Sequence, residues 1–171
     1  MIPQAKNELR RMANMAQENL DHAIHGFLNQ SNEFVDKVYH REEDINNVSH
    51  AITDYLVKSN QLSLPLADQK ILGSMFYVVN DIERIGDHAE NFADYTKTEI
   101  KHNTGLTGDA KEEIKKMYTA VSKLLKLSLE CFMEQDGVNK PEDKLAEIAI
   151  LEASIDKMER RYQKHLSLIH I

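Results

Sequence analysis

The sequence predicts an all-α protein made of two tandem antiparallel three-helix bundles, the second of which lacks its last helix. Three observations lead to this prediction. The 171 residues include only three prolines, six glycines and no tryptophan, which is typical of proteins built from long helices. Apolar residues recur every three or four positions along five segments of the chain. The pattern of the first half also returns in the second half.

The first two segments differ in length. Residues 5–39 keep an apolar period of three or four without an internal proline, so the sequence predicts one long helix there. The charged run 40–44 then separates it from a shorter second helix over residues 45–59. The apolar seam of that second helix is Ile45, Val48, Ile52 and Tyr55.

The third segment is the most regular. Pro65 suits the first turn of a helix, and the pattern continues to about His102. Its predicted seam consists of Leu72, Met75, Val79, Ile82, Gly86, Ala89, Ala93, Thr96 and Ile100. The middle of this seam is small, at Gly86, Ala89 and Ala93. A glycine inside a helix costs about 1 kcal/mol relative to alanine, which suggests that a neighbouring backbone approaches closely there.

A glycine-rich break divides the chain into two predicted repeats. Residues 103–109 contain two glycines and form the best internal boundary. Helices are predicted over residues 110–134 and 142–168, with a turn at 136–141. We therefore expect a first three-helix repeat over residues 1–104 and a second repeat over residues 109–171 that lacks its last helix. The second repeat stops at an apolar chain end that lacks a capping glycine.

Composition and charge exclude several classes of protein. The single cysteine, Cys131, rules out an internal disulfide and a cysteine-based zinc site, and it fits a reducing compartment. The net charge of −7 without clustered lysine and arginine argues against nucleic acid as a partner. No apolar run approaches the roughly 18 residues that a membrane span requires. Nothing resembles a phosphate-binding loop or an activated nucleophile.

Carboxylate pairs four residues apart form the candidate site. Each pair points to one side of its helix, at the same angular offset from the apolar seam. The predicted metal-ligating residues are Glu42, Asn46, Glu83, Asp87, Glu152 and Asp156. Oxygen ligands from facing helices favour hard cations such as Fe(III), Mg, Mn or Ca over zinc. The amide at Asn46 can ligate but brings no charge.

Two other interpretations of these pairs stay open. In a chain with 29% charged residues, acidic pairs on helices are usually a solvated face, and the chain would then be a metal-free helical interaction module. A carboxylate-bridged redox enzyme is disfavoured because it requires two Glu-x-x-His helices. Only Glu99 and His102 have that spacing.

Residues 80–93, Asn-Asp-Ile-Glu-Arg-Ile-Gly-Asp-His-Ala-Glu-Asn-Phe-Ala, resemble the PhoU family of phosphate-transport regulators. The resemblance implies two tandem three-helix bundles and a non-enzymatic regulatory role. It also implies a multinuclear iron or zinc site on Glu-x-x-x-Asp motifs, which Glu83/Asp87 and Glu152/Asp156 match. Glu42/Asn46 departs from the motif at its second position.

The opening residues 7–16 and the Asp87-His88 pair are similar to PhoU-like tails behind sodium/phosphate cotransporter domains. This resemblance implies a cytoplasmic location at the inner face of the membrane. The implied partner is a membrane phosphate transporter domain, in the same chain or in a separate one, or a sensor kinase. A stand-alone accessory protein is the alternative, and a homodimer is compatible with either.

Overall fold

The described part of the protein is entirely helical. A computed structural model describes residues 1–134 and 142–169, and within them there are five α-helices, one short 3-10 helix and no β-strand. The α-helices are α1 (Ile2–Asn29), α2 (Val35–Asn60), α3 (Leu66–His102), α4 (Gly108–Glu134) and α5 (Glu142–Ile169), and the 3-10 helix is Asn32–Phe34. The predicted all-α class is confirmed. The turn predicted at 136–141 lies outside the described residues.

The prediction of one helix over residues 5–39 was wrong. α1 ends at Asn29 because Gln30 adopts the left-handed conformation, with φ 51° and ψ 48°. The Ser31 amide then donates to the Gly26 carbonyl at 3.0 Å, a bond that closes the helix end. The Ser31 hydroxyl accepts from the Glu33 amide at 3.2 Å and starts the 3-10 turn. A left-handed glutamine therefore ends α1, and a serine cap starts the next turn, without a proline or glycine at the break.

The second helix begins ten residues earlier than predicted. α2 runs without interruption from Val35 through the charged residues 40–44. Its core face also differs from the predicted seam, since Ser49 and Leu56 are buried while Tyr55 is 36% exposed. The buried positions are Val35, Val38, Glu42, Ile45, Ser49, Ile52, Leu56 and Ser59. Ile45 and Ile52 were predicted correctly, whereas Val48 was chosen in place of the less apolar Ser49 and Tyr55 in place of its neighbour Leu56.

The helix bounds predicted for the third, fourth and fifth helices agree with the structure to within about two residues. α3 starts directly after Pro65 and contains 37 residues, which makes it about 55 Å long. Eight of its nine predicted seam residues, from Leu72 to Thr96, are buried. None of the described helices combines the length and apolarity needed to cross a membrane.

The chain divides into two compact units, Met1–Gly105 and Leu106–Ile171. In the first unit α1, α2 and α3 all contact one another. α2 runs antiparallel to α1, since Asn19 bonds Val38 while Gln4 bonds Tyr55. α3 in turn runs antiparallel to α2 and parallel to α1.

The core of the first unit is the apolar interface where these three helices meet. Its largest fully buried apolar side chains are Leu9, Met12, Val38, Ile45, Leu56, Leu72, Met75 and Val79. Where α3 carries Ala89 and Ala93, the side chains of Ala23, Val35 and Val38 pack against them. Small residues on α3 thus let the neighbouring helices approach closely, as the sequence indicated.

The second unit, as described, is an antiparallel pair of helices. Lys123 of α4 pairs with Glu147 of α5 at 2.7 Å, and Lys144 of α5 reaches Glu130 at 3.3 Å and Glu134 at 2.6 Å. Among residues 106–134 and 142–164, Cys131 is the only buried residue. Its thiol is free. Two helices alone leave their apolar faces half-exposed.

The apolar seam of the first unit predicts a clear difference between two leucines of α3. Leu72→Ala should lower the free energy of unfolding by about 2 to 5 kcal/mol, because Leu72 is fully buried and the change leaves a cavity. Leu66→Ala is the matched control, since Leu66 is 68% exposed, and should change stability by about 0.5 kcal/mol or less. Urea unfolding followed by circular dichroism measures both. Equal effects would contradict the assigned core.

Candidate cation site between α2 and α3

Glu42 is a buried carboxylate at a core position of α2. It follows Val38 by four residues and precedes Ile45 by three, so it shares their face of the helix. Its exposed fraction is 4%. Acidic side chains are almost never this buried unless they are paired. Glu42 is therefore the most unusual residue of the core and the starting point of the site.

The Glu42 carboxyl group lies over Gly86 of α3. A Cβ added at Gly86 would lie 3.0 Å from both Cδ and Oε1 of Glu42, and closer still to Oε2. Such contacts are shorter than carbon and oxygen atoms tolerate. Gly86 therefore provides the space in which the Glu42 carboxyl group sits. The small seam of α3 predicted that a neighbouring backbone comes close here, but at Gly86 the group that lies closest is the side-chain carboxyl of Glu42.

The surroundings of Glu42 disfavour its charge. Burial, followed in order of importance by the negative charges of Asp87, Glu90 and Glu83, raises the pKa of Glu42 from its ordinary value of 4.5 to about 7. Neither carboxyl oxygen has a hydrogen-bond partner in the structure. A buried acceptor without a donor is costly. A proton would relieve the repulsion, and a cation would relieve both the repulsion and the missing contact.

Two amides contribute further buried oxygens to the core of this bundle. Asn46 lies one turn after Glu42 on α2, and its Oδ1 is buried without a partner. Asn19 of α1 donates from Nδ2 to the Val38 carbonyl at 3.1 Å, while its own Oδ1 lacks a partner. The unsatisfied groups of this core are thus all acceptors, which is the pattern that a cation ligates.

α3 presents a row of acidic residues toward α2. Glu83, Asp87, Glu90 and Asp94 follow one another at steps of four, three and four residues, so they share one side of the helix. Asp94 accepts a hydrogen bond from the Tyr39 hydroxyl. Burial and this bond raise the pKa of Tyr39 to about 12. No described lysine, arginine or histidine forms an ion pair with the other three carboxylates.

The six predicted ligands lie in different surroundings. It brings Glu42 of α2 within electrostatic reach of Glu83 and Asp87 of α3. Glu83 is half-buried and Asp87 is exposed. No three acidic, histidine or cysteine side chains of residues 1–134 and 142–169 are arranged so that they could already hold a metal ion.

The third predicted pair lies in the second unit. Glu152 and Asp156 are both exposed on α5. Asp156 approaches Arg160, one turn further along, at 3.9 Å. Nothing in the described part of α4 adds a further ligand to this pair. As ligands, Glu152 and Asp156 remain a prediction.

Sequence reasoning missed two features of the site. It placed Glu42 in a charged run between helices, although its spacing from Val38 and Ile45 indicates a core position. It also passed over Glu90, which acts on Glu42 more strongly than Glu83 does. Glu90 lies four residues after Gly86, and this spacing was the signal that could have found it.

A groove on the first unit is a separate feature. A groove of about 540 Å³ lies between α1 and α2. Its lining residues are Gln4, Ala5, Glu8, Arg11, Asn47, Val48, Ala51, Ile52 and Tyr55. None of the predicted ligands lines it, so the groove is not part of the carboxylate site.

The fold and the acidic α2–α3 face define a helical-bundle domain, and the comparisons with known proteins identify its family. Residues 9–96 match the PhoU domain, and this match covers just over half of the chain. The chain therefore belongs to the PhoU family.

Two curated relatives agree with this assignment. Both are named phosphate-specific transport system accessory protein PhoU homolog. The protein of Clostridium acetobutylicum is 22% identical over 162 residues, which are 94% of this chain and 70% of the relative. The protein of Aquifex aeolicus is 28% identical over 94 residues, which are 54% of this chain and 42% of the relative. No solved structure gives a significant match.

The contact between Glu42 and Gly86 predicts opposite effects for two glycines of α3. Gly86→Ala should destabilise the protein by about 1 to 3 kcal/mol, because the new methyl group overlaps the buried carboxyl group. Gly73→Ala should stabilise it by up to about 1 kcal/mol, since nothing lies within 4 Å of that position. Chemical denaturation measures both variants. In the double variant with Glu42→Ala, the cost of Gly86→Ala should largely disappear.

The raised pKa of Glu42 predicts a pH dependence of stability in metal-free protein. The unfolded chain releases this proton near pH 4.5 and the folded chain near pH 7. The folded state therefore binds more protons in this window, and stability falls as the pH rises through it, by roughly 2 to 3 kcal/mol. Glu42→Gln should remove this decrease, whereas Glu43→Gln, on the exposed side of α2, should retain it. Denaturant titrations with chelator from pH 5 to 8 measure the difference. Identical pH profiles for the two variants would contradict the assignment to Glu42.

Proposed function

We propose that this protein is a non-enzymatic regulator of phosphate uptake. Its membership of the PhoU family and the printed names of its relatives, which are accessory proteins of phosphate-specific transport systems, support this role. The structure contributes long helical faces for protein contacts and the buried, unpartnered carboxyl group of Glu42. The family match over residues 9–96, inside the first unit, is the observation that carries the proposal.

The proposed partner is a membrane phosphate transporter. In one form of the proposal the chain is the cytoplasmic part of a sodium/phosphate cotransporter, as the opening residues 7–16 suggest. In the other it is a separate accessory protein, which the names of the relatives favour. A sensor kinase is the second candidate partner. An antibody against residues 1–105 distinguishes the two forms, because a cotransporter tail appears in the membrane fraction at a mass well above 19.7 kDa.

Within this role, the α2–α3 face would bind a cation. Glu42, Asn46, Glu83 and Asp87 are the proposed ligands, and the unsatisfied oxygens of Glu42 and Asn46 support them. All four residues offer oxygen, which suits iron better than zinc. Such an ion would neutralise the buried charge of Glu42 and join α2 to α3.

A metal-free interaction module is the second candidate function. It is favoured by the arrangement of the side chains, since no three potential ligands within the described residues are already gathered around one point. In this form the protein would act only through its helical faces. The two candidates differ in whether purified protein retains a metal.

Metal content separates these two candidates. Protein purified from its native host without chelator should contain iron or zinc by plasma mass spectrometry. Glu42→Gln and Asp87→Asn should each lower that content severalfold, because each removes a proposed charged ligand. Glu43→Gln is the control and should leave it unchanged. A metal content that is zero, or that is indifferent to Glu42→Gln, would favour the metal-free module.

Phosphate uptake tests the regulatory role itself. Deleting the gene in the native host should make phosphate uptake insensitive to external phosphate, and the wild-type gene should restore the response. A variant with both Glu83→Ala and Asp87→Ala should restore it only in part if the ion takes part in regulation. Radiolabelled phosphate uptake at low and high external phosphate measures this. Uptake that is the same with and without the gene would contradict the proposed function.

A further inference from the structure

We propose that the turn between α1 and α2 is sensitive to acid, because Lys37 holds it closed only while His22 is neutral. The turn is held by four side chains, which we call the clasp: His22, His25, Phe34 and Lys37. This inference depends neither on the cation site nor on the proposed function.

The clasp is centred on Phe34, the last residue of the 3-10 helix. The ring of His22 stacks on it, with 5.0 Å between the ring centres and 16° between the ring planes. The ring of His25 meets it nearly at a right angle, at 5.5 Å and 88°. Because His22 and His25 are three residues apart on α1, they share one face of that helix. Two histidines of α1 therefore anchor the turn that follows it.

Lys37 of α2 completes the clasp. Its ammonium nitrogen lies 3.3 Å from Nε2 of His22 and 5.9 Å from the centre of the Phe34 ring. A lysine ammonium group can only donate hydrogen bonds, so Nε2 of His22 must accept, which requires a neutral ring with its proton on Nδ1. A protonated His22 carries a hydrogen at Nε2 as well. It would then face Lys37 as a second positive charge, without a hydrogen bond between them.

The charges that act on His22 come from α1 and α2. Burial, followed by the charge of Lys37, lowers the pKa of His22 from its ordinary value of 6.5. Arg41 of α2 acts in the same direction, whereas Asp21 and Glu18 of α1 oppose it. Glu18 also lies 3.5 Å from Arg41, so these two charges partly compensate each other. Neutral His22 is therefore the form that the surroundings favour.

α3 and the 3-10 helix also pack against the clasp. α3 reaches the gap beneath His22 with Ala93 and Thr96, which carry no charge. The 3-10 helix contributes Glu33, which is exposed, and α1 contributes the second titratable ring, His25, which is exposed as well. His22 is half-buried, so its protonation, rather than that of His25, changes the interior of the clasp.

Acid therefore acts on the turn through Lys37. When His22 takes up a proton, the ammonium group of Lys37 is repelled, and α2 loses its contact with the two rings. The 3-10 turn then depends on its backbone hydrogen bonds and on the Ser31 cap. Because the unfolded chain binds this proton more readily, the stabilisation that is present above pH 6.5 is lost as the pH falls below it.

Nuclear magnetic resonance titration of the imidazole nitrogens in the full chain tests the contact. With chelator present, His22 should be neutral at pH 7.5, with its proton on Nδ1, and should titrate below 6.5. Lys37→Met removes the charge and keeps most of the apolar stem, so it should raise the His22 midpoint toward 6.5. Lys58→Met, an exposed position near the other end of α2, should leave the midpoint unchanged. A midpoint at or above 6.5, or one that Lys37→Met does not raise, would overturn the proposal.

Amide hydrogen exchange shows whether the turn itself responds. When the pH is lowered from 7.5 to 5.5, the protection factors of the Glu33 and Val35 amides, which are both bonded within the turn, should fall severalfold. The protection factor of Val79 in α3 should not fall. His22→Phe keeps an aromatic ring in the clasp but cannot take up a proton, so it should abolish the fall. His25→Phe is the matched control and should retain it.

The comparison of wild type with His22→Phe decides the outcome. Loss of protection that is confined to the turn and absent from His22→Phe supports the proposal. Protection that stays constant with pH, or that falls equally in both proteins, overturns it, since a merely structural histidine would behave in this way. Circular dichroism checks that each variant is folded.

Discussion

The buried contact between Glu42 and Gly86 is the constraint on which the α2–α3 interface depends. A carboxyl group at a core position needs space that side chains at a bundle seam normally fill, and Gly86 provides that space. The same contact brings a buried acidic group against an acidic helix face. The contact therefore sets the distance between α2 and α3 at this level. It also leaves the two carboxyl oxygens of Glu42, which have no hydrogen-bond partner and need a proton or an ion.

The regular parts of the fold were predictable because their sequence signals are local. The seam of α3 keeps an unbroken apolar period, and Pro65 marks its start, so both agree with the structure. The break after Asn29 was not predictable from proline and glycine. There the left-handed backbone of Gln30 and the Ser31 cap end α1. The Gln30 side chain also donates to the Thr104 carbonyl at 2.7 Å, a tertiary contact that periodicity cannot reveal.

The candidate site was predictable in its residue types and less so in its geometry. Spacing alone predicted that Glu42, Glu83 and Asp87 belong together, and the structure brings them within electrostatic reach. It did not predict that Glu42 is buried, because charged residues count as polar in any apolar pattern. Spacing also could not show that the charge of Glu90 acts on Glu42 more strongly than that of Glu83. This order depends on how α2 and α3 are aligned in three dimensions.

The first unit can accommodate such a group because the rest of its seam is apolar. Leu9, Ile45, Leu72 and Val79 are fully buried in the same bundle, and burial of each contributes roughly 1.5 to 3 kcal/mol. A buried carboxyl group without a partner costs a comparable amount. The stability lost at position 42 is thus offset by the packing above and below it. A leucine there would remove the unpartnered acceptors and make a more stable bundle, but it would leave no group in this part of the core that could take up a proton.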